Sequence, residues 1–227
     1  MKTSAVILLT LMMLSSQMVT GQRNNEFLDM YQFNRHFGNP PEKSSDAYRD
    51  MEGSPYLNRE FVDGIIYLKD TTAVKLQLRY NLYTDDMEYL VNGATYIVGD
   101  PRIVSRIVIG NQVFMYMPFV AEGKYVELLE SGTCLLVEKR TVQFKPEEGP
   151  KPVEGTIKPA RFIPEPEDYY LVFSESKVIR ITSMKSLIRS FQDKQVNVEN
   201  YIRNEKINKL TRENLIRIVA YYNTLTK

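Results

Sequence analysis

Nucleophilic and acid-base catalysis need particular side chains, and here two of them occur once each: His36 is the single histidine and Cys134 the single cysteine. Ser-His-Asp and Cys-His arrangements both set an imidazole beside a nucleophile. His36 lies in a polar, irregular stretch and reads as a surface residue. Cys134 heads the apolar run Cys134, Leu135, Leu136, Val137 and reads as a small buried side chain; an intermolecular disulfide or a reactive thiol is the other reading. Metal centres built on histidine and cysteine fall with the same two residues. No run of acidic residues has the spacing of an EF-hand loop. Only carboxylates remain for catalysis. Asp85 and Asp86 form one pair, but they sit between two strand patterns, where Asp accepts turn geometry and caps its own backbone. Glu127, Glu130 and Glu138 belong to neighbouring strand patterns and can meet on one face, which a solvated sheet face explains equally well. Arg79 and Tyr83 share the polar side of the pattern at 75–83 and are the candidates for contacting a partner.

Composition narrows the classes further. With 29 basic and 28 acidic residues the chain has no basic field to draw it to phosphate backbones or anionic membranes, so nucleic acid is not an expected partner. There is no phosphate-binding glycine loop, and Gly53, Ser54 and Pro55 do not make a nucleophile elbow. No cofactor is expected. The 15 tyrosines and the absence of tryptophan suit a curved sheet with aromatic packing, or the lining of a sugar or lipid site.

The chain opens with Met1 and Lys2, runs apolar from Ala5 to Leu14, and continues in small and polar residues to Gly21. These are the three parts of a secretory signal peptide, with cleavage expected after Gly21 and Gln22 as the new terminus. The apolar run is too short for a span of about 20 residues. A mature chain without a transmembrane segment, in the periplasm or outside the cell, is the expectation. Residues 22–53 are polar and carry Phe27, Tyr31, Phe33 and Phe37, a segment that either docks in part or extends as an arm.

Residues 54–182 read as an antiparallel body. Leu76, Leu78, Tyr80 and Leu82 alternate with polar neighbours, and the chain turns at 84–86, so 76–89 is one hairpin. Further strand patterns cover 61–68, 95–98, 103–109, 112–118, 124–130, 133–144, 169–173 and 178–182. Asn92-Gly93 is the strongest short hairpin signal among their connections. Residues 113–119 are apolar on both faces, which demands a cover on each: the inside of a curved sheet and the later helices. Residues 145–168 hold Pro146, Pro150, Pro152, Pro159, Pro164 and Pro166 and read as a long extended strap. From 183 to 227 the period is helical. Ser183 or Ser186 caps a helix with Leu187, Ile188 and Phe191, and a second carries Val198, Tyr201 and Ile202. Thr211 caps a third with Glu213, Leu215, Ile218, Val219 and Tyr222.

Four stretches, GSPYLN at 53–58, LRYNLY at 78–83, FMYMPF at 114–119 and NLIRIVAYYNTL at 214–225, together resemble a family of exported proteins from Bacteroidetes-type Gram-negative bacteria. The resemblance implies a signal peptide, a β-rich body and a helical ending, and it implies no catalytic residues. The sequence thus describes an α+β protein, a curved antiparallel meander of roughly nine strands like a half-open barrel, with C-terminal helices on the same domain. The function classes left are an exported non-enzymatic binder or scaffold for a protein or ligand at the cell envelope, a carrier of an apolar ligand, and a hydrolase or transferase using carboxylates alone.

Overall fold

The computed structural model describes residues 42–43, 48, 51–123, 125–149 and 157–226. The expected leader and most of the 22–53 segment lie outside the described residues. The strands are β1 (Glu42–Lys43), β2 (Val62–Leu68), β3 (Ala73–Asn81), β4 (Asp86–Val91), β5 (Ala94–Ile97), β6 (Val104–Ile109), β7 (Gln112–Tyr116), β8 (Tyr125–Glu130), β9 (Leu135–Lys139), β10 (Val142–Lys145), β11 (Arg161–Pro164), β12 (Asp168–Ser174) and β13 (Lys177–Arg180). Three helices follow: α1 (Met184–Ser190), α2 (Gln195–Asn204) and α3 (Arg212–Thr224). None of the described helices is long and apolar enough to cross a membrane.

Eleven strands form one open antiparallel sheet in the order β1-β5-β4-β3-β2-β6-β7-β8-β9-β12-β13, two more than the sequence pattern suggests. The α+β class and the curved meander are as expected. Turn chemistry fixes the hairpins: Asn92 and Gly93, with φ of 50° and 81°, make the β4–β5 turn, and both accept the left-handed conformation it requires. The sheet curls until distant strands touch. The Tyr80 ring on β3 lies 5.4 Å from that of Phe114 on β7 and 6.0 Å from that of Tyr125 on β8. Lys139 on β9 closes the curl, its Nζ 2.6 Å from Asp85 in the β3–β4 turn and also donating to the Tyr80 hydroxyl and the Tyr125 carbonyl. Asp85 is therefore a turn residue that also latches the sheet across its opening.

The register explains where the core divides. One row of side chains crosses the concave face as Val74, Ile66, Ile107, Phe114, Glu127, Glu138 and Tyr169, each directly opposite the next. The first four belong to a core that the curled sheet covers with itself, filled by Tyr89, Tyr125, Met87 and Leu78. Beyond the two glutamates the same face is covered by helices, with Leu136 and Leu171 packed against Leu187, Phe191, Val198, Leu215, Ile218 and Tyr222. Each large apolar side chain so buried contributes about 1.5 to 3 kcal/mol.

The helices begin and end as their sequences dictate. Ser183 and Ser186 form a reciprocal capping box on α1, and the Thr211 hydroxyl accepts the Asn214 N–H on α3. At the far end of α3 the residues Tyr221, Tyr222 and Asn223 each have a separate task. Tyr221 stacks on Tyr201 at 4.2 Å and Tyr222 on Phe191 at 4.4 Å. The Asn223 amide accepts from the Cys134 N–H and donates to its carbonyl, both at 2.9 Å, as a paired strand would. A side chain at Gly132 would collide with that amide.

Three sequence expectations need correction. Residues 133–144 are not one strand: the chain breaks at Arg140 and Thr141, and β10 leaves the main sheet. The 145–168 segment is not a plain strap, because β11 returns against β10 as a separate two-stranded arm, with Pro164 at its end where no ladder donor is needed. The outer face of β7 is not covered by the helices. Met117 and Val120, from the loop after it, fold back over Val126, Val137 and Tyr170 instead.

Candidate binding site

Where the arm meets the β3–β4 turn, aromatic rings gather. Phe144 and Phe162 from the arm lie 6.1 and 5.3 Å from the Tyr83 ring, and Tyr48 stands edge-on to Tyr83, Phe162 and Tyr56. Backbone bonds from Glu52 to Ala160 and Phe162 hold the arm against the 51–56 segment. Gly53 makes that approach feasible: its φ is +78°, and a Cβ there would lie 2.3 Å from the Phe162 carbonyl oxygen. The 53–57 segment is tied in turn to the end of β3, Leu57 donating to the Tyr80 carbonyl and Leu82 to that of Pro55.

Between these ties opens a cleft of about 170 Å³, lined by Tyr48, Met51, Pro55, Tyr56, Arg59 and the Gly53–Ser54 turn. Arg79 does not line the cleft but backs its Tyr56 wall. Its guanidinium is 3.6 Å from the Tyr56 ring centroid and 4.2 Å from that of Phe61, and it donates to the Arg59 carbonyl. The same guanidinium pairs at 2.8 Å with Glu88, whose other oxygen accepts from Asn81. Burial together with the nearby Glu88 charge pushes the Tyr56 hydroxyl up to about 12, against the opposing pull of Arg79.

Arg79 and Tyr83, the two residues singled out in the sequence, thus meet at one corner through Tyr48 and Tyr56. Their exposure differs from the expected shared polar face. Arg79 is 8% exposed and fixed by Glu88, while Tyr83 lies in the turn past β3 and is 45% exposed. The polar side of β3 stays exposed at Lys75 and Gln77 and is buried only at Arg79 and Asn81, where the 53–61 segment folds over it, and alternation alone does not reveal such a cover. Tyr48, Met51 and Arg59 carry no signal in the sequence, and Tyr56 is marked only by its place in the GSPYLN stretch.

The carboxylates form a second cluster, of a different kind. Glu127 and Glu138 stand directly opposite each other, 4% and 3% exposed, where like charges repel. Arg140 and Arg212 each bridge both of them, Gln112 donates to Glu127 at 2.8 Å, and the Tyr169 hydroxyl bonds to Glu138. Burial raises the Tyr169 hydroxyl pKa, and the neighbouring Glu138 raises it further. Burial alone would lower Arg212, but its bonds to Glu127 and Glu138 outweigh this and hold it above its ordinary value. Two carboxylates and two guanidiniums balance in charge, and their donors and acceptors face one another. Glu130 stays apart, because a bulge after Leu128 sets it opposite Leu136. Asp85 and Asp86 do not act as a pair either, since Asp85 is taken by Lys139 and Tyr80.

Among the described residues no group of acidic, histidine or cysteine side chains is placed to hold a metal ion. Cys134 is buried, and burial pushes its thiol up to about 12. Fold and site together define an open, curled antiparallel sheet with a helical cover and an aromatic surface cleft. Comparison of the chain with protein-family models, with curated proteins and with solved structures finds no match.

Proposed function

We propose that this chain is an exported, non-enzymatic protein that binds or scaffolds a partner in the periplasm or at the cell envelope, using the corner of Tyr48, Tyr56 and Tyr83. The observation that carries this reading is the cleft itself, where ring faces and a guanidinium line a solvent-open hollow on a well-tied frame. A carrier of an apolar ligand needs an empty interior, and the concave face is filled by Tyr89, Phe114, Tyr125 and the helices. A hydrolase or transferase using carboxylates alone would draw on Glu127 and Glu138, whose oxygens are engaged by Arg140 and Arg212.

Expressed with its full sequence in a Gram-negative host, the protein should be recovered from the periplasmic or envelope fraction with Gln22 at its terminus, and isolated envelopes should retain it. Tyr48→Ala with Tyr83→Ala should weaken retention at unchanged helical and strand content. Cytosolic recovery with Met1 intact would overturn the export half of the reading; undiminished retention by the double variant would overturn the binding half.

A further inference from the structure

We infer that the cleft beside Tyr56 takes a single sugar ring bearing a carboxylate, with Arg59 as its anion partner, an assignment that rests on the binding reading above. Size is the first argument. The cleft of about 170 Å³ is close to the ~150 Å³ cavity that admits one benzene ring.

The walls give the second. The Tyr48 and Tyr56 rings meet at 68°, so a ligand can lie flat on one and meet only the edge of the other. The remaining lining is a thioether, a proline, the Gly53–Ser54 turn and a guanidinium. A pyranose matches that mixture, because it has an apolar C–H face and a polar rim, whereas a flat aromatic ligand would leave the rim unfilled.

Charge gives the third. Arg79, Arg140, Arg161 and Arg212 are all spent on carboxylates of this chain. Arg59 has no ion pair among the described residues: Nη2 donates to the Gly53 carbonyl at 3.1 Å, and this bond leaves the rest of the fork for a ligand. This exposed guanidinium, oriented by one backbone contact, offers its remaining N–H donors to a planar carboxylate. The ring can come from an acidic envelope polysaccharide or from a free sugar acid; the chemistry at Arg59 is the same.

The test uses the mature chain with methyl-labelled methionine, so that Met51 reports from inside the cleft. Methyl glucuronide should give saturable shifts at Met51, and methyl glucoside should bind at least about tenfold more weakly, the loss expected for a charge-assisted pair. Arg59→Gln should bring the glucuronide down to the level of the glucoside without lowering Tm. Tighter binding of a glucuronide oligosaccharide than of the monosaccharide assigns the cleft to a polymer; equal binding assigns it to a free sugar acid. Equal affinity for glucoside and glucuronide, binding of benzoate as tight as that of glucuronide, or no shift at Met51 overturns the assignment. If wild-type protein is retained by envelopes while Met51 ignores the glucuronide, this inference fails and the binding reading stands. Loss of envelope retention itself would instead remove the reading beneath it.

Discussion

One face of one sheet is covered in two ways. From β5 across to the start of β8 the sheet curls and covers itself, so Tyr80, Phe114 and Tyr125 meet across the hollow without a helix. From β9 to β13 it relies on three helices. The boundary falls at Glu127 and Glu138, where neither solution reaches and guanidiniums take over. The difference teaches that the polar seam is a joint: Arg140 comes from the break that follows β9 and Arg212 from the last helix, so the same ion pairs that neutralise the carboxylates tie the helices to the strands.

The strongest way to break this comparison is to detach the helices. Ile218 is fully buried, and Ile218→Asp should cost at least about 4 kcal/mol. Thermal unfolding should remain one transition at a lower temperature; a biphasic melt in which the curled half survives would show that the joint does not couple the cores. Arg212→Met leaves the facing carboxylates with one guanidinium and should cost about 3 kcal/mol, read by denaturant titration. Adding Glu138→Leu should recover part of that loss, and no recovery would mean that Arg212 acts by packing alone. Asn223→Ala strands the Cys134 N–H and carbonyl, an expected loss of about 2 kcal/mol with faster amide exchange at Cys134. Thr211→Ala removes a cap and should cost about 1 kcal/mol, leaving the seam in place. The smallest effect belongs to Cys134, which should not react with a thiol reagent at neutral pH until the protein unfolds, because its thiol is buried with its pKa pushed up to about 12.

Hairpins and helices were legible in the sequence because their signals are local. Asn92-Gly93, the alternation at Leu76, Leu78 and Tyr80, and the Thr211 cap each act within a few residues. What escaped depends on chain folded over chain. Arg79 reads as solvent-facing by alternation, and the 53–61 segment, earlier in the chain, folds back over it. Glu127 and Glu138 are visible as neighbours on adjacent strands, but Arg212 comes from far along the chain, and no spacing rule links them. The cleft needed Gly53 to approach Phe162, a contact between segments that hydrophobic period cannot pair.

The seam also bears on the order in which the chain can settle. Most strand pairs join neighbours in sequence, so the meander can form hairpin by hairpin as each strand appears. Glu127 and Glu138 are brought face to face at that stage with only Arg140 between them. The balancing charge waits on the first turn of α3. Until that turn docks, the two carboxylates share one guanidinium, so the last helix supplies the charge that completes the seam.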